Sequence, residues 1–125
     1  MKLSEMMNEF YFEGSTIERI LCKENEIVFE ITFCVWAQDW YDEEKDNELE
    51  KLILTFKNVE KSDCRNYNAG REDLIKDCEL IAGEGGLEGV RFSSWCEEGL
   101  YSVTVFAEEV IAEYKEGESW NPPRK

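Results

Sequence analysis

The sequence predicts a mainly β protein, an antiparallel two-layer sandwich or strongly curved sheet of about six to seven strands with one or two short helices. Three observations lead there. Apolar and polar residues alternate through 27–35, similar short runs recur in the second half of the chain, and glycine or asparagine residues separate the runs. No internal repeat or low-complexity segment breaks this pattern.

Residues 16–36 give the clearest element. Ile27, Phe29, Ile31, Phe33 and Val35 fall at every second position, with Glu26, Glu30 and Thr32 between them, the mark of a strand with one face on a core. The preceding "STIERILCKENE" ends in Lys23, Glu24 and Asn25, suited to a tight reversal, so 16–36 reads as a hairpin. Leu52, Leu54 and Phe56, with Ile53 and Thr55 between them, form a third strand that is apolar on both faces and hence central, ending near Val59. A long polar connection follows to Gly70. In "REDLIKDCEL", Glu72 and Asp73 suit a first helical turn and Leu74, Ile75 and Cys78 recur at helical spacing, which predicts a short helix.

Strands are expected near 78–83, 88–95 and 100–107, separated by turns at Gly85, Gly86 and Gly99, and the last two should pair as a hairpin. Beyond Ala107 the alternation changes parity. Either a β-bulge near Glu108 and Glu109 resets it, or Phe106, Val110, Ile111 and Tyr114 form a helical stripe; the resumed alternation favours the bulged strand. Two prolines make 116–125 an extended tail.

At 125 residues the chain is expected to be one domain, 1–125, and 42% apolar and 13% aromatic residues suffice for a folded core. No apolar run approaches the roughly 20 residues of a membrane-spanning helix. The start "MKLSEMMNEF" has no signal-peptide pattern, so a cytoplasmic location is expected. Cysteines at 22, 34, 64, 78 and 96 form no CxxC pair, and with no histidine there is no zinc pattern; reduced, mostly buried thiols are expected. The formal charge of −15 argues against nucleic acid or an anionic membrane as partner and leaves a basic protein or a cation.

The densest acidic run, 39–50, lies beside Trp36, Trp40 and Tyr41. It fits no EF-hand register: counting from Asp39 puts Glu44 where the loop needs glycine, and counting from Asp42 puts Ile53 where it needs glutamate. No metal ligand or cofactor is assigned. The aromatic and acidic residues together suit a partner-binding surface made of Trp36, Asp39, Trp40, Tyr41, Asp42, Glu43, Glu44 and Asp46, with rings for contact area and acids to attract a basic protein. The competing reading places Trp36 in a second core covered by the chain itself. No catalytic residue is assigned either. Without histidine a Cys or Ser nucleophile lacks its commonest base, Glu18 and Glu30 are the carboxylate pair to inspect, Cys22 and Cys34 could face each other across the hairpin, and "GEGG" is a turn rather than a phosphate loop.

The stretch "FYFEGSTIERILCKENEIVFEI", with "LTFKNVEK" after it, resembles the opening of small uncharacterised bacterial β-domain families, some grouped with toxin-immunity proteins. The positions are Phe10, Phe12, Glu13, Ile17, Ile20, Asn25, Ile27, Ile31, Phe56, Asn58 and Val59. Such families often have a His followed by Asp where this chain has Phe12 and Glu13. The resemblance implies a mainly β fold without enzymatic activity and a protein that binds and blocks a basic toxin. The expectation is therefore a non-enzymatic binding domain for a basic protein. The alternatives are a carboxylate-lined sugar or cation binder or enzyme, and a homo-oligomeric structural domain, such as a homodimer, that buries its aromatic face against a copy of itself.

Overall fold

Alternating apolar residues along the chain become six antiparallel strands in one sheet: β1 (Thr16–Cys22), β2 (Glu26–Cys34), β3 (Leu49–Asp63), β4 (Ile75–Ala82), β5 (Glu88–Cys96) and β6 (Gly99–Tyr114). Their order is β1-β2-β3-β6-β5-β4. One helix, α1 (Leu3–Glu9), precedes them, and 3-10 turns follow β2 at Val35–Ala37 and β4 at Glu84–Gly86. The computed structural model describes residues 1–46, 48–64, 74–96 and 99–115, the side chains at 95, 96, 99 and 100 excluded. The tail 116–125 lies outside them.

The predicted hairpin and the central third strand are both present. Ile27 pairs with Phe56, Phe29 with Leu54 and Ile31 with Leu52, so the inward faces of β2 and β3 meet residue by residue. All six side chains are buried. From the other half of the sheet Val90, Phe92, Val103 and Val105 complete the core, and Phe92 meets Phe29 at 5.4 Å between ring centroids. Of the two predicted architectures, the molecule is the single curved sheet.

Two departures from the predicted elements have local causes. Of the helix expected in "REDLIKDCEL", residues 71–73 lie outside the described residues and 75–80 are instead the start of β4. A bulge between Ile75 and Asp77 puts Ile75 and Cys78 on the inward face at a spacing of three, which imitates a helical repeat. The second departure is α1 itself, which the sequence reading left unassigned. Leu3 and Met6 are buried, and Met7 and Phe10 pack against the same core, an i, i+3, i+4, i+7 stripe.

Beyond Ala107 the chain continues as a strand to Tyr114, with the parity change where it was expected. Inward positions pass from Val105 and Ala107 to Val110, and on β3 they pass in step from Phe56 to Val59. Asn58 has φ 53°, a left-handed conformation that Asn adopts more readily than most residues, and its Nδ2 donates to Glu108 Oε2 at 3.2 Å. The bulge in this strand pair lies not at Glu108 and Glu109 but between Val59 and Lys61, where β3 carries the extra residue. The two long strands thus bend together, and this curvature lets the first half of β6 serve β5 while the second half serves β3.

The curvature brings the two edge strands together at one end. Thr16 forms an isolated bridge with Leu74, Ile75 N donates to Ser15 O at 2.7 Å, and Gly14 N donates to Ile75 O at 2.9 Å. Elsewhere α1 and the lead-in to β1 fill the opening. Met1 pairs with Val110 main chain in both directions, and Glu88 accepts from the amide and hydroxyl of Ser4.

Gly89 shows how closely the outer face is packed. It pairs across the sheet with Phe106, and a Cβ on Gly89 would lie 2.5 Å from that ring. Gly89→Ala is expected to cost about 1–3 kcal/mol, because the ring must leave its place over the glycine. A urea midpoint equal to that of the unsubstituted protein would contradict this packing.

Candidate functional site

β2 ends at Cys34 because the following residues turn away from the sheet, with Val35 N and Trp36 N both donating to Glu48 O. Val35 drops into the core and Trp36 is left outside. Gln38 then fixes the turn. The residue is 7% exposed; Oε1 accepts from Tyr11 N at 2.8 Å, and Nε2 donates to Tyr11 O at 2.7 Å and Cys34 O at 2.8 Å. One amide therefore ties the lead-in segment to the end of β2. Cys34 strengthens the tie: its N donates to Ser15 Oγ and its thiol to Gly14 O.

The eight sequence-predicted residues divide into three groups. Trp36 and Trp40 are 56% and 50% exposed, so Trp36 belongs to no second core. Asp39, Glu43 and Glu44 are exposed beside them. Asp42 and Asp46 organise the turn instead: Asp42 Oδ1 accepts from Glu44 N and Asp46 Oδ2 accepts from Asp42 N, both at 2.9 Å. Tyr41 packs partly against the core and supports the loop from beneath.

A cleft that the sequence reading missed lies alongside. It has a volume of about 350 Å³ and runs between the C-terminal end of α1 and the turn, with Met7, Glu9, Phe10 and Tyr11 on one side and Asp39 and Trp40 on the other. Tyr11 is 51% exposed. Its position could be read in part, because in "FYF" an extended segment that packs Phe10 and Phe12 against the core turns Tyr11 outward. Nothing in the sequence joins it to Trp40. The neighbourhood is negative: burial pushes the Tyr114 phenol up to about 12, and Glu50, Asp46 and Glu9 add to the shift. Tyr114 stacks edge-on to Phe10, the residue beneath the cleft.

The other candidates have partners of their own. Glu18 accepts from Thr32 Oγ1, and Glu30 is bound by Arg19 and Lys51 on the outer face of the sheet. Partial burial tends to raise the Glu30 carboxyl, but the hydrogen bond and charge of Arg19 and the charge of Lys51 outweigh it and hold the group below its ordinary range. A carboxylate held ionised is unsuited to act as a general acid. Cys22 and Cys34 do not face each other, since Cys22 pairs with Ile27 and Cys34 lies at the opposite end of β2. Cys22 is also exposed, against the expectation of buried thiols. Burial raises the thiols of Cys34, Cys64 and Cys78, that of Cys64 to about 11, which disfavours the reactive thiolate. Among the described residues no group of three or more acidic or thiol side chains is placed to hold a metal ion, and no helix is long and apolar enough to cross a membrane.

Comparison with protein-family models, with curated proteins and with solved structures finds no match for this chain.

Proposed function

We propose that the chain is a non-enzymatic binding domain that engages a basic protein through the face carrying Trp36, Trp40 and the acidic side chains between Asp39 and Asp46. The observation that carries this reading is the exposure of two tryptophans, each more than or about half open to solvent, on a turn whose main chain is fixed by a buried glutamine. Large rings presented in fixed positions bind with little loss of conformational freedom, and they are the commonest anchors of protein interfaces. The surrounding carboxylates and the charge of −15 select for a basic surface. In its sharpest form the partner is a basic toxin that the domain blocks, the reading suggested by the resemblance of residues 10–59.

The test is capture of basic proteins from cells of the source organism at low and high salt, with Trp36→Ala and Trp40→Ala in parallel. Binding is expected to weaken at least tenfold on loss of either ring and to fall as salt screens the charges. Retention of the same partners by the double variant would refute the reading. So would light scattering that shows a dimer dissociating on either substitution, which would assign the rings to a contact between two copies of the chain.

A further inference from the structure

We infer that the cleft between α1 and the turn after β2 is a receptor for one arginine side chain, whose guanidinium lies against the rings of Tyr11 and Trp40. This deepens, and rests on, the reading of the neighbouring face as a binding surface for a basic protein. It adds a specific pocket, a specific ligand group and residues that reading does not use.

Three properties of the cleft select this ligand. First, its sides are aromatic. Tyr11 and Trp40 both line it and each has about half its surface open, and the face of such rings attracts a cation, indole most strongly. Secondly, its electrostatics are negative on both sides. Glu9 and Asp39 both line the cleft, one from each of the two segments that form it, and the last turn of α1, which contributes Met7 and Glu9, contains no basic residue. The carbonyl end of the helix therefore adds to the negative field without a cation of its own. Thirdly, the cleft is built in advance of the ligand. Gln38 bonds the main chain of Tyr11 on one wall while belonging itself to the turn that carries Trp40 on the other, so the two walls are held together when the cleft is empty.

Arginine fits this combination better than lysine. A guanidinium is planar, more weakly hydrated than an ammonium, and able to stack on a ring while its edge donates to a carboxylate. Its three-carbon stem would lie along Met7 and Phe10, the apolar part of the cleft. A neutral ligand of the same shape would lose both the ring attraction and the carboxylate partners.

The experiment titrates the full chain with the blocked tripeptide acetyl-Gly-Arg-Gly-amide and follows the Trp40 indole N–H and the Tyr11 backbone amide by NMR. Parallel titrations use the same tripeptide with lysine or citrulline at the central position. The arginine peptide is expected to shift both signals with a saturable, millimolar dissociation constant, the lysine peptide to bind more weakly, and the citrulline peptide to produce no saturable shift. Tyr11→Ala and Asp39→Asn are each expected to weaken binding about tenfold, with the remaining amide spectrum unchanged as the sign that the fold is intact. Shifts of equal size with the citrulline peptide, or arginine shifts spread over Glu43 and Glu44 and indifferent to Tyr11→Ala, would overturn the inference. The two readings fail separately. If Trp36→Ala abolishes capture of a basic partner while Tyr11→Ala does not, the face binds protein and the cleft takes no arginine.

Discussion

Replacing Phe12 by alanine is expected to destabilise the fold by about 3–5 kcal/mol, a large part of the total stability of a domain of this size. Phe12 is 2% exposed and comes from the irregular segment before β1, not from a strand. Its ring centroid lies 5.8 Å from Phe33 on β2, 5.3 Å from Phe92 on β5 and 5.9 Å from Phe10. It therefore spans the two halves of the curved sheet at a point where no strand pairing joins them. Truncation leaves a cavity between β2 and β5, and no adjacent segment can collapse into it without giving up the Gly14 and Ser15 contacts with Ile75. Urea unfolding checks this as a lower midpoint at unchanged slope. Phe12→Leu, which keeps much of the volume, should recover more than half of the loss. A loss from Phe12→Ala below about 1 kcal/mol, the centre of the range for point substitutions in general, would show that the lead-in does not plug the sheet.

Gln38→Ala is expected to cost about 2–3 kcal/mol and to open the candidate cleft at the same time. The side chain satisfies three main-chain groups, Tyr11 N, Tyr11 O and Cys34 O. A buried polar group left without a partner costs about 1–3 kcal/mol, and solvent can reach part of the Tyr11 main chain, which lowers the sum. Gln38→Glu is the more searching substitution. It keeps the size and the acceptor for Tyr11 N, but it replaces the donor to two carbonyls with a negative oxygen. It should therefore be at least as destabilising as alanine at neutral pH. Hydrogen exchange at the Tyr11 amide reports the same event locally, with faster exchange in both variants. A neutral Gln38→Glu would mean that the amide is not what holds the two walls together.

These two residues mark the limit of what periodicity conveys. Phe12 belongs to a "FYF" triplet assigned to no element from the sequence, and even an alternation there cannot say which strands an inward ring will join. Gln38 carried no signal, because its importance comes from two carbonyls and an amide contributed by Tyr11 and Cys34. The opposite error occurred at Ile75 and Cys78, where a spacing of three looked helical and was produced by a bulge. A bulge adds a residue to one strand only, so the information that would reveal it lies in the partner, here Ser93 and Ser94 on β5. Near Glu108 the change of inward face was legible, because a long run of alternation on each side exposed the change of parity, although β3 and β6 change together there and no bulge separates them.

The sequence by itself determined the class of the fold, the faces of β2 and β3 that enter the core, and the negative charge of the surface. Each of these is set by residues close together in the chain: burial of one side of a pleated strand requires apolar side chains at every second position, and formal charge is a sum over residues. Only the tertiary structure decided whether Trp36 and Trp40 are covered, which acids serve the turn at Asp42 and Asp46, and that Tyr11 stands across a cleft from Trp40. At the end of a strand the alternation stops, and the exposure of a ring then depends on whether a distant segment packs over it. Here the lead-in, tied at Tyr11 to Gln38, lines a cleft with Trp40 and leaves both rings about half open.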